Sequence, residues 1–169
     1  MYTTNTISYR FPNAKTAFLR FHIRGRLTSL WNKLIGHRPC LEDFSSQAFR
    51  LGAGRKHLGP MDISIAEITG SVTRSRDFDP QFRPLKTTLR DHWVSAFVQT
   101  ISNEKQSVIV YKTGEKYFVK EGHNWVSVAK YLGKQSIQAD VWEFSYTDWQ
   151  VESFQSVVFP VNRKVTAAI

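Results

Sequence analysis

The residues best suited to chemistry stand at the turn Glu121-Gly122-His123-Asn124, where an apolar strand pattern changes to a helical one. Glycine permits a sharp turn and leaves room for a ligand, and Asn124 is a favourable N-cap. The first turn of a helix has free N–H groups and the positive end of the helix dipole, which attract anions. His123 can donate a hydrogen bond there or move a proton. The pattern predicts an anion site, but the same turn is also compatible with a purely structural role.

Two motifs resemble those of the ParB-like domains, which belong to the ParB/sulfiredoxin superfamily. Residues 121–129, Glu-Gly-His-Asn-Trp-Val-Ser-Val-Ala, are similar to the family's Asp-Gly-His-(His/Asn)-Arg-Val-Ser-Val-Ala. Residues 70–79, Gly-Ser-Val-Thr-Arg-Ser-Arg-Asp-Phe-Asp, and the Phe-Arg-Pro at residues 82–84 resemble a second motif of the same bacterial subgroup. The motifs follow one another in the family's order, and the resemblance covers about residues 58–145.

The resemblance implies an α+β fold, with packed helices on a small mixed sheet, and a pocket for the phosphates of a nucleotide or of DNA. The implied phosphate-binding residues lie in the two motifs: Gly122, His123, Asn124, Trp125, Ser71, Arg74 and Arg76. Arg74 is the first candidate to reach the phosphates, while Asp77 orients it or binds a metal through water. The alternative for this loop is a surface role in which its arginines and aspartates neutralise one another.

Members of the superfamily hydrolyse CTP, phosphorylate serine, repair sulfinic acids or act as nucleases, so the resemblance implies a pocket and not one reaction. For phosphoryl transfer or hydrolysis, Glu121 or His123 is the candidate proton acceptor. The implied cofactor is a nucleotide with Mg²⁺, and no metal site made by the protein alone is predicted.

Two positions depart from the family's motif. Trp125 replaces its arginine and Glu121 replaces its aspartate, and no cysteine matches the one that sulfiredoxins use. Tryptophan has one N–H and no charge, so it cannot grip phosphate as arginine does. Three consequences are open: a different ligand, with Trp125 stacked on a base; a charge supplied by Arg74 or Arg76; or a pocket that has lost its function.

The net charge of +9 is concentrated in the N-terminal part of the chain. Residues 1–60 contain 10 Lys and Arg against 2 Asp and Glu, whereas residues 61–169 contain 13 against 12. This asymmetry indicates a polyanionic partner. One alternative function is therefore DNA or partner binding by basic residues of the N-terminal helices, namely Arg20, Arg24, Arg26 and Lys33. A second alternative is a membrane-surface or assembly role for the same helices.

The N-terminal part shows two apolar stripes at helical spacing. The first consists of Ala14, Ala17, Phe18 and Phe21. The second consists of Leu27, Leu30, Trp31 and Leu34. Because the stripes do not share one side of a continuous helix, the sequence predicts two helical pieces or a kink at Gly25. We expect both stripes to pack on the core and the intervening arginines to face solvent.

Composition is that of a globular chain, with 41% hydrophobic and 22% charged residues. Cys40 is the only cysteine, which excludes an internal disulfide and fits a reducing cytoplasm. No apolar run is long enough for a membrane span, so none is predicted.

The remaining patterns predict the elements that position the turn. They are helices over 41–51 and 85–101, a loop over 52–60, a strand over 61–65, a hairpin over 107–120 and a last strand over 137–142. We divide the chain into a basic helical extension (1–58), a ParB-like core (59–145) and a C-terminal segment (146–169). That segment is too apolar for a disordered tail, and we expect it to pack on the core or on a second copy in a homodimer.

Overall fold

A computed structural model of the chain describes residues 13–48, 51–104 and 106–146. The helices are α1 (Ala14–Leu34), α2 (Ser45–Ala48), α3 (Arg90–Ile101) and α4 (His123–Tyr131). The strands are β1 (Glu42–Asp43), β2 (Leu51–Ser64), β3 (Ile68–Ser71), β4 (Ile109–Thr113), β5 (Lys116–Glu121) and β6 (Ser136–Tyr146). These elements confirm the predicted α+β class. The packing expected of the C-terminal segment falls beyond residue 146 and lies outside the described residues.

The six strands form one mixed sheet in the order β1-β3-β5-β4-β6-β2. β4 and β5 form the predicted antiparallel hairpin, while β3 and β5 are parallel neighbours. Parallel strands end at the same edge of a sheet. The end of β3 at Ser71 and the end of β5 at Glu121 therefore bring the two motif loops side by side.

The helices α3 and α4 pack on one face of the sheet and on each other. The helix predicted over residues 85–101 is confirmed for Arg90–Ile101, and Trp93 and Phe97 of its apolar stripe are buried. The indole Nε1 of Trp93 donates to Ser127 Oγ at 2.9 Å, and this hydroxyl donates to the carbonyl of Phe82 at 2.6 Å. A buried polar group must be paired to avoid a desolvation penalty. This chain of bonds ties α3, α4 and the Phe82 loop into one unit.

The helix predicted over residues 41–51 is confirmed only at Ser45–Ala48, and its first part is wrong. A short strand, β1, pairs with Gly70 and Ser71 of β3, and α2 begins only after it. The reason is local, because Asp43 Oδ1 accepts from the N–H and the hydroxyl of Ser45 at 2.9 and 2.7 Å. Aspartate bonded to the backbone two residues later offers an alternative to helical bonding.

The loop predicted over residues 52–60 is also wrong, because these residues belong to β2. This long strand pairs with β6, for example His57 with Trp142, and its register shifts twice on the way to Ser64. Pro60 and the glycines are tolerated because β2 lies at the edge of the sheet and contains bulges. The boundary that we placed between residues 58 and 59 falls inside this strand.

The helix α1 runs without a break through Gly25, so the prediction of two pieces is wrong. A Cβ on Gly25 would lie 2.8 Å from Arg83 Cβ and 3.2 Å from the Pro84 carbonyl oxygen. Glycine serves here for close packing of α1 on the loop and not for a break. The first apolar stripe packs as expected, with Phe18 buried beside Trp93. The second stripe does not, as described below.

Candidate functional site

The strand–turn–helix predicted around Gly122 is confirmed, but its cap differs from the prediction. Gly122 itself occupies the N-cap position in the left-handed conformation, with φ of 89°. Asn124 lies one residue inside α4, which begins at His123. A Cβ on Gly122 would lie 2.8 Å from the Ser107 carbonyl oxygen. The turn is therefore a close contact with the segment leading into β4, and only glycine fits it without strain.

A cleft of about 450 Å³ opens beside this turn. One wall comes from the turn and the start of α4, residues 120–125. The other comes from His92, Ser95, Ala96 and Gln99 of α3, and Arg74 lines the cleft as well. Its volume lies within the range of known small-molecule sites.

The cleft combines three features that attract an anion. No side chain caps α4, so the free N–H groups of its first turn and the positive end of its dipole are available. Lys120 lines the cleft and is exposed, with its ammonium 5.6 Å from the centroid of the Tyr111 ring. Arg74 contributes a guanidinium of which only Nε is bonded to a described residue, to Asp77 Oδ2 at 2.8 Å.

Asp77 has the orienting role that one of our two interpretations gave it. Its other oxygen, Oδ1, binds Lys86 Nζ at 2.6 Å. Burial alone would raise the pKa of Asp77, but the hydrogen bonds from Lys86 and Arg74 outweigh it and hold the pKa below its ordinary value. The carboxylate is thus charged and fully engaged, and it fixes the direction of the Arg74 side chain.

The second candidate arginine lies elsewhere. Arg76 is exposed and does not line the cleft. The remaining carboxylate of the loop, Asp79, is fully buried and binds Arg83 Nε at 2.8 Å. The arginine–aspartate pairs of the loop therefore neutralise one another, as the structural interpretation predicts, while Arg74 still faces the cleft.

Ser71 and His123 form a buried pair, with Ser71 Oγ 2.7 Å from His123 Nε2. Ser71 Oγ also accepts from the backbone N–H groups of Thr73 and Arg74 at 3.3 and 2.8 Å. Both of its lone pairs are then used, so the hydroxyl hydrogen points to the histidine. The pair joins the start of α4 to the end of β3 and positions the backbone of Arg74.

This arrangement restricts the chemistry open to His123. Burial, followed by the nearby charge of Arg74, lowers the pKa of His123 from 6.5 to about 4. The ring is neutral at pH 7 and only 3% exposed, and Ser71 is not exposed at all. A serine beside a neutral histidine resembles an activated nucleophile, but no substrate can reach this one in the observed conformation. Both residues act here by positioning.

Two other predicted ligands lie on the first turn of α4. Asn124 and Trp125 line the cleft and are half-buried. Asn124 Oδ1 and Trp125 Nε1 are shielded from solvent and lack a hydrogen-bond partner among the described residues. Since Nε1 is shielded, any exposed part of the indole is ring carbon. Trp125 therefore offers the cleft an apolar surface and does not replace the donor groups of an arginine.

The remaining candidate for proton transfer, Glu121, is exposed at the cleft wall. It is the only carboxylate among the described residues that line the cleft. Throughout the described ranges, no group of three or more His, Cys, Asp and Glu is placed to hold a metal ion.

The basic residues named for nucleic-acid binding all lie on α1. Arg20, Arg24, Arg26 and Lys33 are exposed, and none of them lines the cleft. The cleft and the basic helix are thus separate features. None of the described helices has the length and apolar character needed to cross a membrane.

Sequence reasoning missed the wall contributed by α3 and the part of Lys120. His92, Ser95 and Gln99 stand three and four residues apart, which places them on one side of a helix. This polar row, next to the apolar stripe of Trp93 and Phe97, was a usable signal. The spacing does not reveal that this polar row lies opposite the Gly122 turn, because it gives only the side of α3 on which the row stands.

The fold and the cleft define an α+β protein with a candidate anion site at a helix start. Comparison with protein-family models, with curated proteins and with solved structures finds no match for this chain. The resemblance to ParB-like domains therefore stays a prediction from the two motifs.

Proposed function

We propose that this chain binds a phosphate-bearing ligand, specifically a nucleotide, in the cleft at the start of α4, and that its fold is of the ParB-like kind. The main support is the convergence of the uncapped first turn of α4 with Arg74 and Lys120 on one cleft of about 450 Å³. Each feature is common alone. Together they place positive charge beside a volume suited to a small ligand.

In this proposal each part of the cleft has its own role. The phosphates accept hydrogen bonds from the N–H groups after Gly122 and from the terminal nitrogens of Arg74. Asp77 and Lys86 hold Arg74 in that direction before a ligand arrives, which lowers the cost of ordering it. The carbon surface of Trp125 is available to the base.

Binding is better supported than turnover. Of the two residues named for proton transfer, His123 is neutral and enclosed, and Glu121 is the accessible proton acceptor for hydrolysis or phosphoryl transfer. Mg²⁺ in nucleotide sites is commonly held by one or two carboxylates together with the phosphates. Glu121 is the cleft residue that fits this use, with the metal carried in by the nucleotide.

Replacing Arg74 with glutamine should weaken nucleotide binding about 10- to 100-fold, because hydrogen bonds to a charged group contribute about 1.5–3 kcal/mol. Calorimetric titration of the full chain with CTP, ATP and ADP, each with Mg²⁺, measures the affinity. Inorganic pyrophosphate in a parallel titration separates the phosphate contribution from that of the base.

The matched control is Arg76→Gln, since Arg76 is two residues away, has the same charge and lies outside the cleft lining. Its affinity should equal that of the unmodified protein. Absence of heat with every nucleotide, in protein that is folded by circular dichroism, would remove the proposed function. Equal losses in the two variants would mean that only net charge matters.

A further inference from the structure

The helix α1 has two apolar faces on opposite sides. At about 100° of rotation per residue, Ala17, Phe18 and Gly25 point towards the core, where all three are buried. Ile23, Leu27, Leu30 and Leu34 lie about 180° away from them. A face on each side explains why the sequence looked like two separate helices, although one continuous helix carries both.

The outer face is exposed to an unusual degree. Among the described residues nine large apolar side chains are exposed, and seven of them lie between Leu19 and Ile35. Leu27 is 63% exposed, Trp31 62% and Leu34 80%. A concentration of this kind on one helix marks an interaction surface, whereas single exposed apolar residues carry no such meaning.

Cations border this apolar face on both sides. By the same helical geometry, Arg26 and Lys33 follow one border and Arg20 and Arg24 the other. All four are exposed. The sequence contains no acidic residue before Glu42. The surface is thus an apolar ridge between two basic rows, and α1 itself contributes no carboxylate to offset them.

We propose that the outer face of α1 binds an anionic lipid surface, with the helix lying in the plane of the interface. Leucine and isoleucine side chains enter the boundary between head groups and acyl chains, while the flanking arginines extend to the lipid phosphates. Trp31 suits the same depth, because tryptophan favours the boundary between polar and apolar regions. From Leu19 to Ile35 the ridge spans about 24 Å of helix axis, enough to contact several lipids.

The charges around the apolar face disfavour three other occupants, namely a second copy of α1, a nucleic acid and a helix of another protein. A second copy of α1 would bring the basic rows of two helices together with no carboxylate between them, and such like-charge contacts oppose association. A nucleic acid would pair with the arginines but would leave the leucines between them in contact with phosphate and water. A helix from another protein would need carboxylates along both of its borders, in register with the two basic rows. A lipid surface needs only negative charge beside an apolar layer.

Co-sedimentation of the full chain with phosphatidylcholine vesicles containing about 30% phosphatidylserine tests this. We expect the unmodified protein to bind these vesicles and to bind pure phosphatidylcholine much more weakly. The double variant Leu27→Gln/Leu30→Gln should lose binding at least tenfold through the loss of apolar burial. The double variant Arg20→Gln/Arg24→Gln should lose about 25-fold at low salt, because each cation near the surface contributes about fivefold.

Matched controls come from exposed residues outside α1. Val98→Gln on α3 removes an apolar side chain that is 53% exposed, and Lys134→Gln removes an exposed cation. Both variants should bind vesicles as the unmodified protein does. Circular dichroism confirms the fold of every variant.

Several results would overturn the proposal. The folded protein could fail to sediment with the anionic vesicles, or its binding could survive Leu27→Gln/Leu30→Gln. Sedimentation equilibrium without lipid provides a further check. The protein could be a dimer that fails to bind vesicles and that becomes a monomer in Leu27→Gln/Leu30→Gln. That result would assign the outer face of α1 to contact with a second copy. Equal binding of vesicles and of duplex DNA, lost only in Arg20→Gln/Arg24→Gln, would indicate a general polyanion surface.

Discussion

Alanine in place of Gly122 is expected to destabilise the protein by about 3 kcal/mol. Two costs add. Gly122 has φ of 89°, a conformation in which a side chain costs about 1 kcal/mol or more. The new Cβ would also lie 2.8 Å from the Ser107 carbonyl oxygen and 3.0 Å from Val108 Cα. These are backbone atoms, so relief requires a shift of the chain that leads into β4.

Gly133→Ala is the control that separates these two costs. Gly133 also has a positive φ, 68°, but a Cβ there would meet nothing within 4 Å. We expect its substitution to cost only the conformational part, about 1 kcal/mol. Urea unfolding of the two variants measures both values. Equal destabilisation would show that the contact with residues 107–108 has no energetic weight.

Gly122→Ala should also weaken the proposed nucleotide binding, because a shifted turn moves the N–H groups that face the cleft. Titration is carried out in conditions where unfolding curves show the variant to be folded. Gly133→Ala, at the far end of α4, should leave the affinity unchanged. This comparison separates an effect on the site from a general loss of stability.

Acidification from pH 6.5 to pH 4 is expected to remove about 3 kcal/mol of stability through His123 alone. The pKa of this residue is lowered from 6.5 to about 4 in the folded protein, mainly by burial and next by the charge of Arg74. Between these values the unfolded chain binds a proton that the folded protein does not. The free energy of unfolding therefore falls as the pH decreases through this window and is fully restored above about pH 6.5.

Urea unfolding at several pH values measures this dependence, and His123→Gln identifies its source. Glutamine does not titrate, so the variant should lose the part of the slope between pH 4 and 6.5 that His123 causes. It should be less stable at pH 7, since the bond to Ser71 Oγ is remade imperfectly. His92→Gln, which removes an exposed imidazole on α3, is the control for the replacement of a histidine as such. An unaltered slope in His123→Gln would contradict the assigned pKa.

The turn and its helix were predictable because their signals are local. Gly122 needs a positive φ, which is a property of one residue, and the apolar spacing after it is helical. The stripe on α3 and the hairpin of β4 and β5 were predictable for the same reason. The N-cap was predicted at Asn124 because asparagine is a good capping residue. The packing instead requires a glycine in that role, two positions earlier at Gly122.

The errors in the fold arose where a distant partner changes the local preference. Residues 52–60 contain glycine, proline and charged residues, a composition typical of loops. They form part of β2 because β6 presents an unpaired edge, to which a bulged strand can bond. Residues 42–43 pair with β3 in the same way. At Gly25 the sequence predicted two helical pieces or a kink. In the structure α1 continues through Gly25, which allows the helix to approach residues 83–84 closely.

The candidate site was only partly predictable. The motifs pointed to Gly122 and Arg74, and both line the cleft. The resemblance made Arg74 the first candidate, but residue types alone did not distinguish it from Arg76, because that choice depends on Asp77 and Lys86 holding one of the two. Ser71 and His123 were predicted to touch the ligand, but they face each other inside the protein.

Residue types and their spacing along the chain were enough to establish the αβ character, the strand–turn–helix at Gly122 and the basic N-terminal part. These features depend on backbone preferences and on neighbours within a few residues. Packing settled which groups line the cleft, which are enclosed and which apolar face of α1 remains in solvent. Burial and charge pairing arise from residues far apart in sequence, such as Ser71 with His123 or Gly25 with Arg83, and only the folded chain brings them into contact.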